Sequence, residues 1–341
     1  MCEQEDELHY NEKPHDYSED YLTFVAKENG TFTFTPQNSN VISYSTNNGN
    51  TWTEGNSVEV NNGDKVIWKG TMTPQSNRGI GAFASTAEFD VQGNAMSLLF
   101  GDSFKGQTDL TGKNYAFCNL FKNNTKVVNA ENLSLSATIL ANYCYSDMFV
   151  GCTSLTTAPE LPATTLINYC YAGMFGGCTS LTAAPELLAT TLTSNCYQYM
   201  FYNCTSLTTA PELSATTLAQ RCYDGMFGGC SDLTTAPELP ATTLANYCYQ
   251  GMFTNCISLT TAPELPATTL TNGCYGNMFK GCTNLNYIKA MFTTTPGTTY
   301  TNTWVNSVSA TGTFVKNSAA QWDVSGVNGI PEGWTVQTAS N

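Results

Sequence analysis

The chain has 341 residues, 41% hydrophobic and only 12% charged, with a net charge of −14. That is ample for a core, but the acidic balance argues against a phosphate-lined partner, so nucleic acid is not expected. No run approaches the ~18 apolar residues of a membrane span. The only histidines, His9 and His15, lie near the N-terminus, which leaves the rest of the chain without Ser–His or Cys–His nucleophile machinery.

Residues 1–20 read as a solvated, flexible tether. Glu3, Glu5, Asp6, Glu7, Glu12, Asp16, Glu19 and Asp20 stand against Lys13 alone, in a stretch almost without hydrophobic residues. Cys2, ahead of this acidic linker, resembles the lipid-bearing cysteine of bacterial surface lipoproteins. The resemblance implies lipid attachment at Cys2, an outer-membrane, cell-surface location, and Met1 standing in for a removed signal. The membrane would then be touched only through the lipid anchor.

Residues 21–100 alternate apolar and polar positions in Tyr21–Ala26, Thr31–Thr35, Val41–Ser45, Ser57–Val60 and Lys65–Lys69. Asn-Gly turns punctuate them, as expected of a small antiparallel β-sandwich. Ser45–Trp52 is similar to the Asp-box hairpin of sialidases and other β proteins, with Asn47 in the usual Asp position. That likeness implies a structural hairpin rather than a glycosidase. Leu98, Leu99 and Phe100 are expected to form a strand leading out of the sandwich.

Residues 101–134 read as an N-terminal cap, a degenerate first repeat. Tyr115–Phe121 aligns with Tyr143–Phe149 at a shift of 28, which sets Cys118 against Ser146. Six regular units follow over residues 135–290. Cysteines recur at 144, 170, 196, 222, 248 and 274, each with a second cysteine eight residues on. The 26-residue period is that of a solenoid, because one unit cannot bury its own apolar face and must stack on a copy. It lies in the leucine-rich range, where each turn supplies one strand and one helical segment. Cys144, Met148, Phe149 and Cys152 fall at i, i+4, i+5 and i+8, one face of a short helix. Leu155, Ala158 and Leu161 then enter an extended stretch that Pro159 and Pro162 keep from being helical. The fold class expected is therefore an α/β repeat solenoid, one short strand plus one short helix per turn, behind a β-sandwich. Residues 291–341 are expected to form a β-rich C-terminal cap that covers the last core layer with Trp304, Trp322 and Trp334.

The aromatics followed by Cys-x-x-Leu and a short Pro-bounded stretch, over residues 115–290, resemble the BspA-like leucine-rich repeats of bacterial surface proteins. The unit departs from that family's commoner, shorter one in its longer Cys-Tyr-x-x-Met-Phe-x-x-Cys portion and in its Pro-Glu. The resemblance implies a secreted or surface-anchored protein concerned with adhesion or protein binding.

Among candidate chemistries, zinc is disfavoured because the spacing is Cys-x₇-Cys and no histidine is near. Cysteines eight apart on a helix lie ~12 Å apart, beyond disulfide reach. Two columns of buried free thiols are the leading expectation, with bridges from Cys152-type to neighbouring Cys170-type residues as the rival. Glu160, Glu186, Glu212, Glu238 and Glu264 repeat in register and would form either a ligand- or cation-binding stripe or a solvated edge. The threonine pairs read as β propensity facing water. Variation between units concentrates beside the first cysteine, at Tyr143, Tyr169, Asn195, Arg221, Tyr247 and Gly273, and at the positions just after it. A varied face suits drift first and one protein epitope second, whereas the nearly constant Thr-Thr-Ala-Pro-Glu face suits a repetitive ligand such as a glycan, or no ligand at all.

These readings converge on a non-catalytic cell-surface adhesion protein, presenting a leucine-rich solenoid for protein interaction without catalytic residues, cofactor or metal. The alternative is an accessory glycan- or nutrient-capture lipoprotein working beside an outer-membrane transporter.

Overall fold

The computed structural model describes residues 15–339; Cys2 and most of the acidic leader lie outside them. Strands β1 (Leu22–Ala26), β2 (Gly30–Pro36), β3 (Ile42–Ser45), β4 (Thr53–Glu54), β5 (Ser57–Val60), β6 (Lys65–Gly70), β7 (Gly81–Ser85) and β8 (Phe89–Asn94) build the N-terminal part. β9 (Val127–Asn129) and β10 (Leu133–Ser134) add to it from further along the chain. One sheet runs β10-β8-β1-β6-β3-β4, with β9 also on β8, and a second runs β5-β2-β7. Phe24 of β1 packs at 5.4 Å from Phe32 and 4.7 Å from Phe83, both on the second sheet, so the two sheets share one core. Asn47 closes the β3–β4 hairpin: its Oδ1 accepts from the Ser45 hydroxyl at 2.8 Å and from Thr51 N–H at 3.0 Å. That is the structural use expected of the hairpin.

Two expectations fail here. Leu98–Phe100 are not a strand but part of a one-turn helix, Ser97–Phe100, because Ser97 must donate its hydroxyl to the Trp68 carbonyl while accepting from Leu22 N–H. The last residues assigned to the tether are docked instead. Tyr17–Glu19 form a 3₁₀ turn capped by Asp16, and Asn94 holds it by donating its side-chain amide to the Ser18 carbonyl.

The sandwich and the first coil are continuous. β9 and β10 pair with β8 in parallel, and Phe121 stacks on Phe83 at 5.8 Å. From there the rings stand in files. Phe117, Tyr145, Tyr171, Tyr197, Tyr223, Tyr249 and Tyr275 stack at 5.5–6.0 Å. Phe121 to Phe279 form a second file beside them. The first coil joins these files in the register of 28, with Tyr115 on Tyr143 and Phe117 on Tyr145.

The expected helix is absent from every unit of the described residues. In its place the chain makes a ribbon of turns in which N–H groups alternate between two partners. Cys144, Ser146, Met148, Val150 and Cys152 donate three residues back, to Ala141, Tyr143, Tyr145, Asp147 and Phe149. Tyr143, Tyr145, Asp147, Phe149 and Gly151 donate instead to the next coil, to Asn168, Cys170, Ala172, Met174 and Gly176. Every N–H from 143 to 152 is thus satisfied, half of them only by stacking. The geometry requires a left-handed residue every fourth position, and Tyr143, Asp147 and Gly151 have φ of 59°, 53° and 74°. A helix cannot contain such residues. The spacing of buried residues is met all the same: Cys144, Met148, Phe149 and Cys152 are fully buried, together with Tyr145.

The expected strand shrinks to single-residue parallel bridges, such as Asn129–Thr157, Ala183–Thr209, Thr209–Thr235 and Thr261–Tyr287. The prolines explain it, since each removes a ladder donor. Where the Pro-Glu stretch gives way to Ile288-Lys-Ala, a true strand forms. β11 (Tyr287–Ala290) pairs in parallel with β12 (Thr313–Lys316), and β12 with β13 (Thr335–Thr338). The C-terminal part also continues the ribbon, since Asn277, Phe279 and Gly281 donate to Asn302, Trp304 and Asn306. Trp304 covers the end of both ring files, 6.3 Å from Tyr275 and 6.1 Å from Phe279; Trp322, stacked on Phe292 at 5.2 Å, and Trp334 are buried as well.

Candidate binding surface

Three left-handed columns run along the turn ribbon, and they differ in what they carry. The third, Asn123, Gly151, Gly177, Asn203, Gly229, Asn255 and Gly281, with Ser307 after the last regular unit, holds only Gly and Asn within the repeats, the residues for which positive φ is least costly. The first holds Tyr115, Tyr143, Tyr169, Asn195, Arg221, Tyr247 and Gly273, including every varied position singled out in the sequence. A bulky side chain there costs on the order of 1–3 kcal/mol, and the structure shows what offsets it. Tyr115, Tyr143 and Tyr169 stack at 4.6 and 4.4 Å, half-buried against one another, and burial pushes the Tyr143 phenol up.

The middle units carry a polar counterpart. Asn195 donates to Gln198 Oε1 at 2.8 Å, and Gln198 donates to Asp224 Oδ2 at 3.0 Å. Arg221 meets the same carboxylate oxygen at 2.7 Å and lies 4.4 Å over the Tyr247 ring. It also reaches Gln250 Oε1 at 3.3 Å. Asp224 is only 2% exposed, and desolvation raises its pKa although Arg221 and Gln198 pull the other way. The varied residues are therefore clamps between coils as much as display positions.

The second column supplies what sequence reasoning missed. Asn119, Asp147, Gly173, Tyr199, Gly225, Gly251, Asn277 and Thr303 occupy it, and Tyr199 is its single aromatic. Tyr199 and Tyr202 are 45% and 42% exposed, with rings 5.6 Å apart and nearly perpendicular at 79°. They wall a groove of about 490 Å³ continued by Gln250, Thr254, Asn277 and Lys280. Burial, and then the Asp224 charge, raise the Tyr199 pKa. The pointer available in the sequence was a tyrosine in a column otherwise of small or polar residues.

Six copies of the BspA type leucine rich repeat region match the chain, over residues 113–249, 142–286 and 198–318. Together these cover more than half of it. This chain belongs to the BspA-type leucine-rich repeat family. No curated protein and no solved structure matches it.

In this BspA-type chain the remaining candidates are placed as follows. Glu160, Glu186, Glu212, Glu238 and Glu264 are all exposed on the face opposite in sequence to the ribbon, one per coil, and Glu264 pairs with Lys289 at 2.9 Å. Among the described residues no group of three or more His, Cys, Asp or Glu is arranged to hold a metal ion. The thirteen described cysteines are buried and free. The second cysteine of each unit donates its thiol to a phenylalanine carbonyl one coil back, as Cys178 to Phe149 at 3.2 Å and Cys230 to Phe201 at 3.2 Å. Burial raises Cys152 and Cys204 to about 12, which makes them poor nucleophiles and metal ligands. No helix of the described residues is long and apolar enough to cross a membrane; Cys2, the expected lipid site, lies outside them.

Proposed function

We propose that this is a non-catalytic cell-surface binding protein, anchored through a lipid on Cys2, that uses the turn ribbon of its repeats to hold a partner in adhesion. One observation carries the reading. Departures from the repeat collect on a single face of neighbouring coils, where Gln198, Arg221, Asp224 and Gln250 are tied into one network beside two exposed tyrosines. The Thr-Ala-Pro-Glu face repeats its Ala-Pro-Glu-Leu through five coils, with single changes at Ala183, Leu188 and Ser214 and a break at Tyr287–Ala290, and so offers less with which to single out one epitope.

Replacing Gln198 and Arg221 by alanine is expected to lower retention of the partner-bearing cell surface by about tenfold. Changing all five column glutamates to glutamine is expected to leave retention unchanged. Loss through the glutamates and not through the ribbon would reverse the assignment. A second reading, capture of glycan or nutrient beside an outer-membrane transporter, is favoured by the exposed aromatic pair on the same ribbon.

A further inference from the structure

We propose that the groove walled by Tyr199 and Tyr202 is a binding site for a neutral carbohydrate, taken as a short run of pyranose rings. The proposal rests on the binding reading above and names a ligand class for one part of that face. A pyranose presents flat patches of C–H between rims of hydroxyl groups. It therefore needs exposed aromatic faces for the first and neutral, well-spaced hydrogen-bonding groups for the second.

Both are present, and a single coil breaks the repeat to provide them, since Gly173 and Gly176 before it and Gly225 and Gly228 after it are alike. In one coil the chain places Tyr199 and Tyr202; at the equivalent positions of the next it places Gly225 and Gly228. A β-carbon at Gly225 would run into the Tyr199 ring, and one at Gly228 would sit 3.0 Å from the Tyr202 ring. The rings thus lean across glycine, with no neighbouring side chain to cover them. Beyond them, Gln250 accepts from Arg221 through its oxygen at 3.3 Å, and Asn277 accepts from the Thr303 hydroxyl through its own at 2.6 Å. Among the described residues the two amide nitrogens have no hydrogen-bond partner, so both remain available to sugar oxygens.

Charge selects against other ligands. Lys280 is the single cation lining the groove, and Asp224 the single carboxylate, already committed to Arg221 and Gln198. An anion would require a cluster of cations that is not there. A purely apolar ligand would leave Gln250, Asn277 and Lys280 facing it unpaired. The volume of about 490 Å³ falls in the ~300–1,000 Å³ range of small-ligand clefts.

The test is a printed array of neutral and anionic glycans, probed with the whole chain and with the Tyr199→Ala/Tyr202→Ala variant. Both side chains are exposed, so the variant should keep its circular dichroism and melting temperature. If it does not, Lys280→Ala combined with Gln250→Ala serves instead. The wild-type chain is expected to hold neutral glycans, and the variant to lose about tenfold or more in affinity. Retention of no neutral glycan, a preference for anionic ones, or equal binding by the variants would overturn the proposal. A cell-surface partner that the chain still holds after enzymatic deglycosylation, and that the tyrosine variant also holds, would remove the sugar site alone. Retention of neither glycans nor cell surface would remove both readings.

Discussion

A thiol that donates to a carbonyl one coil away, in a place water does not reach, has little freedom to ionise. Burial raises Cys144, Cys152, Cys204 and Cys282 to about 12, from 9.0 for an exposed thiol. A group whose pKa is raised on folding adds stability below its unfolded pKa, and that stability is lost as pH climbs towards the folded value. Between about 9 and 12 the unfolded chain binds fewer protons than the folded one. Each such thiol then lowers stability by ~1.4 kcal/mol per pH unit. With two thiol columns contributing, the chain is expected to unfold over a narrow alkaline range, read by circular dichroism against pH. Melting that is indifferent to pH above 9 would contradict the buried-thiol account. By the same reasoning a thiol reagent at pH 8 should leave the thirteen described cysteines untouched in the folded chain and find all of them in denaturant. A denatured count well short of that would point to bridges.

At the scale of the element, the turn ribbon and a helix compete for the same residues. Apolar residues at 144, 148, 149 and 152 satisfy either, and local propensity does not decide between them. The ribbon wins because its odd-numbered N–H groups find carbonyls on the next coil, which an isolated segment lacks. Its weak points are therefore the left-handed positions. Gly229 has φ of 78°, and a β-carbon there would run into the Asn203 side chain. Gly229→Val is expected to cost about 2–3 kcal/mol in denaturant melts. Gly297→Ala, where a β-carbon meets nothing within 4 Å, is the control and should change little. Equal effects of the two would mean that the left-handed columns do not shape the fold.

For the whole molecule, stability is a matter of neighbours and ends. The β-sandwich shields one end of the stack, through Phe83 on Phe121 and β9 on β8. Trp304 shields the other, over Tyr275 and Phe279. Excising one period, residues 153–178, joins Cys152 to Thr179 in the register that Cys178 already has with it. The shortened chain is expected to fold with a slightly lower melting temperature. Removing residues 296–341 uncovers the last aromatic layer and should lead to fraying and self-association, visible by size-exclusion chromatography. If the first change were the more damaging, the coils would not be interchangeable layers.

Read alone, the sequence determined the period, the files of inward cysteine, methionine, phenylalanine and leucine, and five of the sandwich strands. Those features follow from burial patterns that recur within a few residues or at a fixed interval. It also marked the prolines that keep the opposite side of each coil from becoming a continuous strand. Only the tertiary structure decided that the cysteine segment is a ribbon of turns, because the choice rests on hydrogen bonds to residues about one period away. The same distance effect placed Tyr199 and Tyr202 over the glycines of the next coil. That placement turned two unremarked tyrosines into the walls of a groove, while the varied residues beside them became its supporting frame.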